Sequence, residues 1–162
     1  MTPHWTNFVI TAAEAAAALT GLVIVAISVN ITKILSYGHL PARAGATVAT
    51  LILILVVGLS ALIPQGMGAL GFETTFFGVC CWLLQLWAAR QTLTFRREYH
   101  RPWYEAARGV TLGQVQTLPF IIGGIMLSIS NASGLYWIAG GAIAVFIFST
   151  FNAWVLLVEI LR

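Results

Sequence analysis

The chain contains no aspartate, and acidic and basic residues together make up only 8% of its 162 residues. A soluble domain carries roughly 25%, so an ordinary water-facing surface is excluded. Without aspartate there is no Ser-His-Asp triad and no paired-aspartate site. The three histidines, His4, His39 and His100, are scattered with no partner at ligand spacing, so no metal site is legible. No glycine-rich phosphate loop appears, because the glycines cluster at turns and on helix faces. The two cysteines, Cys80 and Cys81, are neighbours in an apolar run. Adjacent cysteines rarely bridge, which makes them packing residues rather than a disulfide framework. No basic region precedes the first apolar run, so the first helix is expected to stay in the mature protein. These absences point away from an enzyme, a cofactor and a nucleic-acid partner.

What is present is apolar. Hydrophobic residues make up 59% of the chain, and about 20 mostly apolar residues suffice to cross a bilayer. Five runs meet that need, at about 7–34, 44–63, 72–95, 110–131 and 135–161. The expectation is a single all-α domain, a bundle of five transmembrane helices. Gly38 and Pro41 punctuate the first connection, and Pro64, Gly66, Gly68 and Gly71 the second. Pro102 divides the charged stretch after the third run. A tight turn at 131–134 follows the fourth, which Pro119 is expected to kink.

Charge orients the bundle. Five spans place Lys33, Arg43, Arg90, Arg96, Arg97, Arg101, Arg108 and Arg162 on one side, and these are all the basic residues. The positive-inside rule assigns that side to the cytoplasm, with the N-terminus out and the C-terminus in. A four-span reading divides the basic residues between sides. Trp5, Tyr136 and Trp137 then form an outer aromatic belt, while Tyr37, Trp87, Trp103, Tyr104 and Trp154 lie toward the inner one. The expected location is the inner (plasma) membrane. The partners are the lipid bilayer and anionic lipid at the basic loop from Arg90 to Arg108.

The first run carries the most information. Stepping from Asn7 in alternating fours and threes meets Thr11, Glu14, Ala18, Gly21, Val25, Ser28 and Thr32. Helical geometry puts that series on one stripe, and all but Val25 are small or polar. Such a stripe belongs against a helix, a second subunit or water rather than lipid. Glu14 lies roughly 10 Å along the helix from Asn7, in the outer half of the bilayer and away from every Lys and Arg. It must be protonated, wetted, bound to a cation, or met by neutral donors such as Thr11, Ser128, Ser130 and Asn131. Ala13, Ala17 and Gly21 form a ridge that admits close approach of a helix, with Ala12 and Ala16 beside it. Two readings stay open, tight packing and a pore in which Glu14 forms an acidic ring.

Asn152 and Glu159 form a second polar pair, seven apart on one face of the last run. Glu159 is expected to pair with Arg90, Arg108 or Arg162 near the inner interface. Gln85, Arg90, Gln114 and Gln116 are candidates for an inner vestibule or for helix capping.

Two segments, AAAALTGLVIVAISVNI at 15–31 and GLYWIAGG…FNAWVLLVEILR at 134–162, resemble a family of small five-helix bacterial membrane proteins. Some members of that family are labelled modulator of the FtsH protease. The resemblance spans the whole chain and implies a helical membrane bundle; it carries no agreed activity. The leading expectation is a homo-oligomeric channel or ion-handling protein. Its first helix lines the path, with Glu14 as the key acid and Asn7, Thr11, Gly21, Ser28 and Thr32 along it. The alternative is a non-conducting scaffold or regulatory subunit of a larger membrane complex, with the same stripe as an interface.

Overall fold

A computed structural model describes residues 2–36, 40–99 and 103–155. Among these the protein is all-helical: α1 (Pro3–Val29), α2 (Ile31–Ser36), α3 (Leu40–Leu62), α4 (Met67–Tyr99), α5 (Trp103–Ser128) and α6 (Gly134–Trp154). Among the described residues four stretches are long and apolar enough to cross a membrane, namely α1, α3, residues Met67–Gln91 of α4, and α6. That is consistent with a multi-pass membrane protein.

The five long helices run alternately between two ends of one bundle. At the first end Trp5 stacks edge-on against Tyr136, with ring centroids 5.0 Å apart. Leu70, Leu127 and Leu135 gather there, with Trp5 and Ala61 against them. At the other end Ala26, Ile34 and Ala44 form one cluster and Ala42, Ala46 and Ala88 another. Arg43 reaches Asn152 beside them. So α1, α4 and α6 run from the Trp5 end to the Arg43 end, and α3 and α5 return. α3 holds the centre, packing on α1, α4 and α6.

The helix boundaries depart from the sequence expectation for identifiable reasons. The first helix stops at Val29 rather than running to residue 34, and Asn30 (φ −107°, ψ 16°) interrupts it before α2. Asn30 is buried and its amide turns back to the Ala26 carbonyl at 3.4 Å. A side chain that competes in this way for backbone partners weakens a helix interior. α3 begins at Leu40 rather than 44, because Pro41 falls in its first turn, where a missing N–H is tolerated. α4 begins at Met67 rather than 72 and takes in Gly68 and Gly71. α5 begins at Trp103 rather than 110 and ends at Ser128 rather than 131. The end of the fifth predicted span, with Glu159 and Arg162, lies outside the described residues.

Gly71 is inside α4 because α5 needs it there. A Cβ at Gly71 would fall 2.7 Å from the Gly124 carbonyl oxygen, and one at Gly124 would fall 2.7 Å from the Thr75 nitrogen. The same device recurs between α5 and α6, where a Cβ on Gly123 would lie 2.7 Å from the Gly134 carbonyl. Between α3 and α1, a Cβ on Gly58 would press on Ala13 at 3.0 Å. Lipid gives helices no hydrophobic reason to associate, so such close approaches carry the packing.

The turn from α5 to α6 is a Schellman motif. Asn131 N–H bonds the Met126 carbonyl at 2.9 Å and Ser130 N–H the Leu127 carbonyl at 2.8 Å. Ser130 takes the left-handed conformation, φ 61°, that such a turn demands. The Asn131 side chain then accepts the Ser133 N–H at 3.0 Å.

Three outcomes follow. Gly124→Ala forces α4 and α5 apart and costs about 1–3 kcal/mol. Gly140→Ala, with open space around it, leaves the melting temperature in detergent unchanged or higher. Ser130→Gly relieves the left-handed strain and raises stability by about 0.5–1 kcal/mol in the same melts. A Gly124→Ala protein as stable as the parent would count against the close-approach account.

Candidate functional site

The stripe on α1 lies on the outside of the bundle. Asn7, Thr11, Glu14, Ala18, Gly21, Val25 and Ser28 are all exposed, and so is Thr32 on α2. The opposite side of α1 packs inward: Ala12, Ala13, Ala16, Val23 and Ala26 are buried, Ala16, Val23 and Ala26 completely. The two small ridges of the sequence therefore part company. Ala12, Ala13 and Ala16 close on the bundle, while Ala17 and Gly21 face out, with nothing within 4 Å of a Cβ at Gly21. From Asn7 to Ser28 the outward stripe is roughly 30 Å long at the helical rise, close to the thickness of a hydrocarbon core. Leu22, Ile24 and Val29 flank it and are also exposed.

Glu14 makes no hydrogen bond or ion pair with any described residue. Two of the neutral donors expected for it are engaged elsewhere. The Ser128 hydroxyl bonds the Gly124 carbonyl at 3.0 Å, and Asn131 serves the turn. The hydroxyl of Ser28 bonds back to the Ile24 carbonyl at 2.8 Å and that of Thr20 to Ala16 at 2.7 Å. The interruption at Asn30 sets Thr32 on a separate helix from the rest of the stripe. The other acid near the Trp5 end, Glu73, is held by Gln65, whose amide reaches Glu73 Oε2 at 2.9 Å and the Ser60 carbonyl at 2.8 Å.

The second polar region is internal and lies toward the Arg43 end. Trp82 donates its indole N–H to Gln114 Oε1. Gln85 donates to the Ala46 carbonyl at 3.3 Å. These glutamines join helices rather than line an open vestibule, and Gln116 is buried. Asn152 bridges α6 to α3: its amide donates to Thr47 Oγ1 at 3.1 Å, and its carbonyl accepts from Arg43 Nη2 at 2.9 Å. The sequence marks Asn152 but assigns it no arginine. Arg43 stands 109 positions away in the chain, and only the return of α6 beside α3 brings them together. Glu159, the expected second member of that pair, lies outside the described residues.

Toward the Trp5 end the interior is different. An open pocket lies between α1, α3, α5 and α6, with Leu70 of α4 at its edge. Its walls include Phe8, Ile54, Val57, Phe120, Leu135 and Ile138, and no polar side chain lines it. Among the described residues, the buried hydroxyls of Thr74 and Ser149 have no hydrogen-bond partner.

No family model, curated protein or solved structure matches this chain.

The unpartnered Thr74 hydroxyl gives a direct test of whether the interior does anything but pack. Thr74→Val removes an unmet polar atom at nearly constant shape and raises stability by about 1 kcal/mol. Any transport activity stays as it was. A fall in activity with the fold intact would place a working group inside the bundle.

Proposed function

We propose that the protein is a homo-oligomeric membrane channel or ion-handling protein of the inner membrane, with α1 lining the path and Glu14 as its key acid. The observation that carries this reading is the outward stripe itself. A single copy in a bilayer turns Asn7, Thr11, Glu14 and Ser28 toward lipid. An acid at the centre of a membrane helix costs about 3 kcal/mol on insertion scales. Bringing α1 helices of several copies together removes that penalty and leaves the polar side chains around a common axis. Gly21 and Ala18 allow the helices to approach, and a ring of Glu14 carboxyls attracts cations.

A path through a single copy has less support. It would have to cross the apolar pocket around Phe8, Val57 and Phe120, where an ion finds no partner. The membrane placement of α5 as a fifth span, with the N-terminus outside, belongs to the same proposal. It keeps every basic residue on one face of the membrane.

Flux across liposomes holding the purified protein tests the reading, with cation and proton dyes beside the Glu14→Gln variant. Flux falls about tenfold or more in the variant, because the ring that concentrates cations is gone. Gly21→Leu, whose side chain meets nothing within one copy, separates the subunits without unfolding them, as read by light scattering on size-exclusion chromatography. Absence of flux from an intact oligomer would instead make the stripe a non-conducting interface of a scaffold.

A further inference from the structure

The hydrogen bonds around Arg43 close into a ring. The Thr47 hydroxyl donates to the Arg43 backbone carbonyl at 3.1 Å. The Asn152 amide donates to that same hydroxyl oxygen at 3.1 Å, and the Asn152 carbonyl accepts from Arg43 Nη2 at 2.9 Å. Thr47 is buried, 4% exposed, and Asn152 is half-buried, so two helices hold the guanidinium in place. One of its five N–H donors is used in the ring. Among the described residues no carboxylate pairs with it. Arg43 overhangs an open cleft whose other walls are Leu40, Ala44, Thr47, Asn152 and Val155.

We propose that this cleft is a binding site for the phosphodiester of an anionic membrane phospholipid. A guanidinium offers two parallel N–H groups to a phosphate, and the fork is strongest when it is already oriented. Asn152 does the orienting here, so little side-chain freedom is lost on binding. The apolar walls at Leu40, Ala44 and Val155 suit the first carbons of an acyl chain, which a free phosphate lacks. Headgroup choice follows from charge. A headgroup without an ammonium leaves the phosphate charge to Arg43 alone, so a lipid with no cation is preferred. Arg43 sits in the first turn of α3, where the apolar run begins, which is the depth of a phosphate layer. The site differs from the basic loop between α4 and α5, where charge alone would hold lipid loosely. It rests on the membrane placement proposed above but not on conduction, so flux results leave it untouched.

The test uses the whole protein in a non-ionic detergent, with phosphatidylglycerol, phosphatidylcholine and glycerol 3-phosphate as probes. Native mass spectrometry counts bound lipid and thermal melting reads stabilisation. Phosphatidylglycerol is expected to form a one-to-one adduct and to raise the melting temperature. Phosphatidylcholine binds about tenfold more weakly, and glycerol 3-phosphate has no effect. Arg43→Gln removes the preference between the two lipids. Asn152→Ala and Arg43→Lys keep the positive charge but lose the fixed fork, and fall between. Should Arg43→Gln fail to fold, those two variants carry the test. Equal binding of both lipids by the parent, or an undiminished preference in the variants, would overturn the site. Equal stabilisation by glycerol 3-phosphate would overturn the lipid as its source.

Discussion

The structure depends on backbone approaching backbone where side chains are missing. At Gly71 and Gly124, and at Gly123 and Gly134, there is no room for a further methyl group, and Gly58 meets Ala13 closely. In water, burial of leucine and phenylalanine would drive these helices together. In hydrocarbon that drive is absent, because lipid chains are as apolar as the side chains they replace. Contact between flat helix faces takes its place. One consequence reaches the candidate site. Because Ala12, Ala13 and Ala16 are spent on α3, the polar side of α1 is left facing out.

Polar groups obey the same solvent. Most hydroxyls in the long helices bond a carbonyl of their own helix one turn back: Thr47 to Arg43, Thr75 to Gly71, Thr117 to Gly113 and Thr150 to Phe146. These bonds cost no partner helix and say little about function. Bonds between helices are fewer, and four of them lie in the half of the bundle near Arg43: Trp82 to Gln114, Gln85 to Ala46, Asn152 to Thr47 and Arg43 to Asn152. The other half packs around Phe120, Leu127 and Leu135. The bundle is thus stitched by hydrogen bonds toward its basic end and by apolar packing toward Trp5.

Composition and hydropathy made the helical class and the membrane character legible, because both depend on counts of residues in runs. The alternating stripe on α1 was legible for the same reason that any helical face is, since spacing alone sets it. Which way the stripe points was not. Ala12 and Ala17 look alike in sequence, yet one is buried and the other exposed, because the packing of distant helices on α1 decides it. Glycines also look like breaks in sequence. Gly68 and Gly71 follow Pro64 and look like a loop, yet α4 begins at Met67 and uses Gly71 for contact. The partnership of Arg43 with Asn152 was invisible because it joins the second long helix to the last. No local pattern carries that information.

The two polar regions have different meanings because their surroundings differ. Asn152, Thr47 and Arg43 satisfy one another, so the ring is stable in a single copy and its spare capacity is a cation looking outward. Glu14 has no such ring. Its helix neighbours on the outer face are Thr11, Ala18 and Gly21, which supply space and little else. Rotating α1 to bring Glu14 inward would expel Ala13 and Ala16 from α3 and push the acid against the apolar pocket at Val57 and Phe120. The cost of hiding the acid inside one copy therefore exceeds the cost of leaving it on the surface, where a second copy can cover it.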